Sequence, residues 1–537
     1  MNHTTLGRSG LESETSDRET HPDLHYQMSE DQPLLRSVSD QGTAGHVESS
    51  KHGHIIMFCT LFVLFICCAL DALVSINIAQ ISRELGLSPG VELWPVSLHF
   101  LAQGCTLLPV GFLTNVLGSR RVFLYGCTLQ TLCHLTTGVS QTGVQIITSR
   151  VLGGIAYSMC FVSVINIHEK SLPAGKLHDL APSYTQGSRF LGTAIGLVLG
   201  GVLPVSCGWR WGFCGAAVLG WTILLLSVWA IPRPAESKHV SWATFTEDID
   251  WVGGLLGTLV MALVFYALDV ITNNAANLSK SWLFIPLALG WVLLVAFLFW
   301  QDCWERDSTQ GVQDSLWTNS RFLAIGLVIF FIHAASHSTS QFMVLVFQRA
   351  QGISIRQSSS QMLPVPAMGA LSNIFVKRIL PRTQVDRVLI VTILISSLAP
   401  LLMAILHVGW AYWKCAIYAV SLNSIAASSV IPIAAKVVSE SFVYEIQGFA
   451  MGVLCTIAMI GASVGMALAA LVSNDVTASG PQTPSGNPAL GGSSGAWMAG
   501  YRVAFGFLLS LNLVGLVITV TCLRKTGYLG HASNSGH

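Results

Sequence analysis

The chain has 537 residues, 52% of them hydrophobic and only 10% charged, where an ordinary soluble domain carries about 25% charged residues. That composition excludes a soluble globular protein, and a formal net charge of +1 gives no electrostatic footprint for nucleic acid. The 13 cysteines include no C-x-x-C, and most stand in apolar runs (Cys59, Cys67, Cys68, Cys105, Cys127, Cys455). There a thiol behaves as a small buried hydrophobe, so neither a disulfide framework nor a metal site is expected.

Residues 1–52 are polar and rich in Ser and Thr, and the first 50 positions hold nine of the 27 acidic residues. They lack the apolar core of a signal peptide and are expected to be a disordered cytoplasmic tail. Within it Glu30-Asp-Gln-Pro-Leu34-Leu35 resembles an acidic di-leucine sorting signal for a vacuole-like compartment. Apolar runs then recur near the ~20 residues that cross a bilayer. They fall at 55–79, 93–116, 122–140, 143–165, 185–206 and 211–231, then at 251–271 and 283–301. The rest fall at 322–346, 358–377, 388–407, 410–435, 446–473 and 500–523, which predicts fourteen transmembrane helices. The run at 358–377 is the weakest, diluted by serines, glutamine and two prolines.

Charges in the loops orient the set. With the N-terminus inside, the cytoplasmic loops carry Arg120/Arg121, Lys170/Lys176, Arg233/Lys238, Arg306 and Lys377/Arg378/Arg382/Arg387. The opposite loops carry mostly single basic residues such as Arg83 and Lys280, as the positive-inside rule requires. An even count returns the C-terminal tail 524–537 to the cytoplasm. The sequon Asn277-Leu-Ser279 and the Gly/Ser/Pro-rich stretch 474–498 then fall outside, as a glycosylation site and a flexible loop.

The loop between the second and third runs reads Gly111-Phe-Leu-Thr-Asn-Val-Leu-Gly-Ser-Arg-Arg-Val122. A fainter copy, Gly369-Ala-Leu-Ser-Asn-Ile-Phe-Val-Lys-Arg378, aligns with it at a constant offset of 258 residues. An internal repeat in a hydrophobic chain marks a transporter of two related halves with its binding site between them. The first copy resembles the loop motif G-x-L-x-D-x-x-G-x-R-R of the major facilitator superfamily. The likeness lies in Gly111, Leu113, Gly118, Arg120 and Arg121, with Asn115 where the family usually has aspartate. The other motifs resemble those of the superfamily's 14-span drug:proton antiporters, the fungal-type exporters of drugs and secondary metabolites. They are Trp94, Arg150-Val-Leu-Gly-Gly154, Trp209-Arg-Trp211-x-Phe213 and Asp250-Trp251-x-Gly253. The resemblance implies an all-α membrane protein of the major facilitator fold. A six-helix half at 55–231 and another at 322–523 would flank two inserted helices within 251–301.

Span 5 carries Gly192-x-x-x-Gly196-Leu-x-x-Gly200-Gly201, and small residues four apart let helices touch backbone to backbone. This is similar to the antiporter motif G-x-x-x-G-P-x-x-G-G, with Leu197 in place of the proline; a generic tight helix contact is the alternative. Ionisable groups inside spans are costly and point to function. Asp71, in a stretch that looks like the family's first-span motif, is read as a site for a proton or a cationic substrate group, or as a structural aspartate. The resemblance places Arg150 in the proton-coupling machinery, where a permanently charged guanidinium would pair with and tune a carboxylate. His99 stands where the family commonly has an aromatic residue, and both cavity lining and packing are open to it. His333 and His337 lie one turn apart, suited to proton movement or to polar cavity lining.

The pair His333-x-x-x-His337 has metal-motif spacing but lacks the adjacent glutamate of a zinc protease. No further histidine boxes of a membrane desaturase and no Walker G-x-x-x-x-G-K-[ST] occur. The expectation is therefore a non-enzymatic, proton-coupled secondary transporter that uses no cofactor and no ATP. It would export small hydrophobic or amphipathic compounds across the plasma membrane, with both termini cytoplasmic. The alternatives are import of a nutrient or siderophore-like compound, a non-transporting sensor of the same fold, and a vacuolar location.

Overall fold

The computed structural model describes residues 34–88, 90–172, 175–232, 319–479 and 494–523, with isolated positions between 259 and 316. Two compact units are present, Met1–Lys51 and His52–His537. In the first, the chain is helical from residue 34, as the leading part of α1 (Leu34–Leu85). The sequence predicts a tail without fixed structure there. A helix already nucleated in an apolar run extends at little cost, because each added residue brings its own hydrogen bond. The expected inserted helices at 251–271 and 283–301 and the sequon at Asn277 lie outside the described residues, as does the tail 524–537. Of the loop 474–498, residues 474–479 are helical and most of the remainder is not described.

The N-terminal set of the second unit continues with α2 (Trp94–Leu117), α3 (Ser119–Gly138), α4 (Gly143–Ser171), α5 (Lys176–Ser206) and α6 (Arg210–Ala230). The C-terminal set comprises α7 (Ser320–Leu345), α8 (Ile355–Met362), α9 (Pro364–Ile379), α10 (Val385–Ile405), α11 (Ala416–Ser441), α12 (Tyr444–Ser479) and α13 (Ser494–Ile518). Among the described residues, ten helices are long and apolar enough to cross a membrane. The span expected over 122–140 is α3, whose buried Gln130, Thr131, His134 and Thr137 dilute it. The span expected over 358–377 is broken at Leu363, where Pro364 opens α9, since proline has no amide hydrogen to continue the ladder. Past α7, a π-turn over Val346–Ala350 carries the helical path to Ala350, four residues beyond the predicted end.

Each set has its own apolar core at one end of the bundle. One gathers Leu64, Phe123, Tyr157 and Leu224; the other gathers Phe322, Ile329, Ile393 and Leu454. Toward the end where α1 finishes, a single core runs across both sets, from Leu73, Ile76 and Phe213 to Phe342, Phe347 and Phe505. The seam is pinned there by Ser463 Oγ, which donates to the Ser97 carbonyl at 2.6 Å.

The span-5 glycines account for how closely α1 and α5 approach. A Cβ at Gly192 would meet the Phe65 carbonyl, one at Gly196 would overlap the Ala69 carbonyl, and one at Gly200 would strike Ile76. Gly201 points the other way, onto Ser359 of α8. Asn77 adds a polar tie, donating to the carbonyls of Leu73 (2.9 Å) and Gly200 (3.0 Å). The C-terminal set repeats the device: Gly461 and Gly465 of α12 face the carbonyls of Phe330 and Ala334 in α7. Forcing extra atoms into a close contact costs about 1–3 kcal/mol or more. Gly196→Val is therefore expected to abolish recovery of monodisperse protein in size-exclusion chromatography. A wild-type elution profile and yield would show that α1 and α5 do not need this contact.

Candidate functional site

Where the two sets meet, a cavity of about 320 Å³ is lined from both sides, within the ~300–1,000 Å³ range of small-molecule sites. Its apolar walls include Leu107, Phe161, Val344, Met362, Met459 and Met466. Polar atoms are interspersed from Gln103, Ser336, Ser340, Ser424 and Ser428.

Three charged or titratable residues from three helices converge at one wall. Arg150 of α4 directs Nη2 to Asp71 Oδ1 of α1 at 2.5 Å and Nε to the Pro95 carbonyl at 3.2 Å. His99 of α2 holds Nδ1 2.8 Å from the Arg150 carbonyl, and its Nε2 lies 3.0 Å from Asp71 Oδ1. The Nε2 contact has ion-pair distance without the alignment of a hydrogen bond. Side-chain exposure is 1% for His99, 4% for Arg150 and 20% for Asp71. Asp71 and Arg150 line the cavity, with His99 behind them. Asp71 is thus paired with Arg150 and has His99 Nε2 at ion-pair distance. His99, which the sequence left between packing and function, touches the aspartate directly.

His333 and His337 line the same cavity, with rings stacked at 5.8 Å. His333 Nδ1 is held by the Ile329 carbonyl (3.0 Å), and the His337 ring meets Phe100 edge-on at 5.0 Å. Neither forms an ion pair with Asp71 in the structure. Close by, Gln341 ties α7 to Ser75, both by its side-chain oxygen and by donating to the Ser75 carbonyl at 3.1 Å.

The loop motif serves helix ends. Gly118 takes φ +85° between α2 and α3, a left-handed conformation that glycine adopts without strain. Arg120 donates to the carbonyls of Ile231 and Val228, both at 2.8 Å, at the end of α6, where a cation complements the helix dipole. Asn115 and Arg121 are exposed, and Gly111 has open space around it. In the second copy Asn373 is buried and donates to the Ser428 carbonyl at 3.2 Å. The two copies have diverged in use.

Sequence reasoning passed over two groups. Arg189, inside the predicted span 185–206, lines the cavity; an ionisable residue within a span was signal enough. The pair Glu92–Arg349, at 2.5 Å, joins the loop before α2 to the π-turn after α7. Its signal was absent, because Arg349 falls past the end of the predicted span.

A family profile described as Major Facilitator Superfamily matches residues 60–466. MFS-type transporter 1 of Pyricularia oryzae is 26% identical, over 93% of this chain and 88% of its own length. Efflux pump terG of Aspergillus terreus is 23% identical, over 84% and 82%. Among solved structures, a bacterial homolog of the human lysosomal transporter Spinster, inward-facing and occupied, is similar with a TM-score of 0.59. It is 12% identical, over 87% of this chain and 96% of its own, a likeness of fold alone. With two helical sets about a central cavity and a profile match over most of its length, this chain is a multi-pass membrane protein that belongs to the major facilitator superfamily, whose members move small molecules across membranes.

Proposed function

We propose that this chain is a proton-coupled exporter of small hydrophobic or amphipathic organic compounds. It would have fourteen spans and sit in the plasma membrane with both termini in the cytoplasm. The observation that carries the proposal is the Asp71–His99–Arg150 cluster on the cavity wall. His99 Nδ1 faces a carbonyl, so it bears hydrogen. Nε2 then faces Asp71 Oδ1. A proton that reaches Asp71 from the cavity, directly or by way of His99 Nε2 3.0 Å away, converts the carboxylate to the neutral acid, and its release restores the charge. Loss of charge on Asp71 loosens its hold on Arg150, and through Arg150 on α2 and α4. Proton occupancy is thereby tied to how three helices of one set are held together, which is what alternating access between two sets requires. Substrate and proton are coupled because both bias the same conformational equilibrium.

The apolar lining supports lipophilic cargo, and the name of the Aspergillus relative supports the outward direction. The test is accumulation of labelled lipophilic compounds in cells with and without the chain, each with and without a protonophore. The expected result is lower accumulation that returns to control once the gradient is collapsed. Raised accumulation would mean import, and reduction that survives the protonophore would remove proton coupling.

A further inference from the structure

The cavity holds a cation with no carboxylate to match it. Arg189 of α5 donates from Nη1 to Gln186 Oε1 at 3.0 Å, and its Nε is shut off from solvent with no hydrogen-bond partner. Its guanidinium carbon lies 5.7 Å from the centre of the Phe161 ring, which stacks on Tyr157 at 5.9 Å. Tyr157, Cys68, Cys455, His333 and His337 are the titratable groups near it, none of them a carboxylate. Among the described residues no Asp or Glu lies within ion-pair distance of Arg189.

The charge balance of the lining follows directly. Its one carboxylate, Asp71, is matched by Arg150. His333 and His337 add no negative charge in either protonation state. Arg189 is left as an uncompensated positive charge in a chamber whose walls are mostly apolar. A charge held away from water without a partner is expensive, and an anion entering the cavity would relieve that cost.

We infer that the substrates of this cavity are lipophilic organic anions, carrying a carboxylate or similar planar oxyanion that Arg189 binds. The guanidinium fork fits a carboxylate through two parallel N–H···O bonds, which an ammonium group cannot reproduce. Phe161, Tyr157 and Phe190 add aromatic surface to the cavity lining, and its methionines adapt to varied apolar bodies. The inference rests on this cavity being the transport site. It reverses the expectation that an acidic residue here selects cations.

The test is binding to the purified full-length chain of three probes of nearly equal shape: 1-naphthaleneacetate, 1-naphthaleneacetamide and 1-naphthylmethylammonium. The acetate is expected to bind at least about tenfold tighter than either of the others, as befits hydrogen bonds to a charged group. Arg189→Gln should level the three affinities, and Arg189→Lys should keep their order with a smaller gap. Should Arg189→Gln fail to fold, the wild-type order and Arg189→Lys still decide. The inference is overturned by an ammonium preference, by no discrimination (binding of none included), or by an acetate preference that survives in Arg189→Gln. The readings separate cleanly. An Arg189-dependent acetate preference without proton-driven flux would sink proton coupling alone. Proton-driven flux with an ammonium preference would sink the anion inference alone.

Discussion

Asp71→Asn and Arg150→Gln are each expected to cut proton-driven transport by about 100-fold or more. Removing one partner of a buried ion pair strands the other, at about 3–5 kcal/mol, and each 1.36 kcal/mol is about a factor of ten in a rate or equilibrium. Arg150 has 4% side-chain exposure and grips both Asp71 and the Pro95 carbonyl, so its loss frees α1, α2 and α4 together. The double variant removes both charges and should recover folding and surface expression better than either single change, a coupling that a double-mutant cycle reads directly. His99→Gln separates the roles of structure and proton. Glutamine can still donate to Asp71 but cannot take up and release a proton. Exchange of labelled for unlabelled substrate, which needs no net proton movement, should persist in His99→Gln while uphill transport disappears and the pH profile flattens. Uphill transport at the wild-type rate in that variant would remove His99 from the proton path.

The fold was legible wherever apolar runs were long and the loops between them charged. Among the described residues, ten of the expected spans coincide with helices fit to cross a membrane, because a lipid-spanning segment must satisfy its backbone internally and so writes its length into the sequence. The boundaries were less legible. Helix α5 begins at Lys176, nine residues before the predicted start, since hydropathy ends where Asp179 and His178 begin but backbone hydrogen bonding does not. The broken α8–α9 segment registered as a weak run, its serines and prolines being the residues that break it and set Ser359 against Gly201.

The site was legible as a set of suspects and illegible as an arrangement. Asp71, Arg150 and His99 each stood out as polar groups within apolar spans, yet nothing in the chain says that α1, α2 and α4 bring them to one point. Separations of 51 and 79 residues along the chain are closed only by the tertiary fold. His333 and His337, which looked equivalent as proton carriers, end on another helix without a carboxylate in contact.

A second large effect is expected at the pair Glu92–Arg349, which ties the two sets together at the end where the core is continuous. The side chains are 5% and 19% exposed and 2.5 Å apart, and Arg349 also lies over the Trp497 ring at 4.8 Å. Beside it Gln348 donates to the Ile76 carbonyl at 2.7 Å, and Ser359 donates to the Leu197 carbonyl. Opening this end requires the ion pair to part. Removing one partner of such a pair costs about 2–5 kcal/mol, so Arg349→Gln, which strands the buried Glu92 carboxylate, should shift the population toward the form open at this end. The measurement is labelling of Ser359→Cys by a membrane-impermeant maleimide, with the exposed Cys207 and Cys522 replaced by serine. Labelling should rise at least about tenfold in Arg349→Gln and fall back in the charge-reversed Glu92→Arg/Arg349→Glu. Unchanged labelling in Arg349→Gln would mean that the apolar core alone holds this end shut. Burial pushes the Glu92 carboxyl above its ordinary value, and the Arg349 guanidinium draws it part of the way back. In the open form the carboxyl meets water and returns to about 4.3. The closed form therefore binds the proton more readily, so low pH on this side favours closure. That contribution is lost as pH rises through the elevated value. Above it Arg349 alone carries the charge of Glu92, and there the Arg349→Gln variant should differ most from wild type.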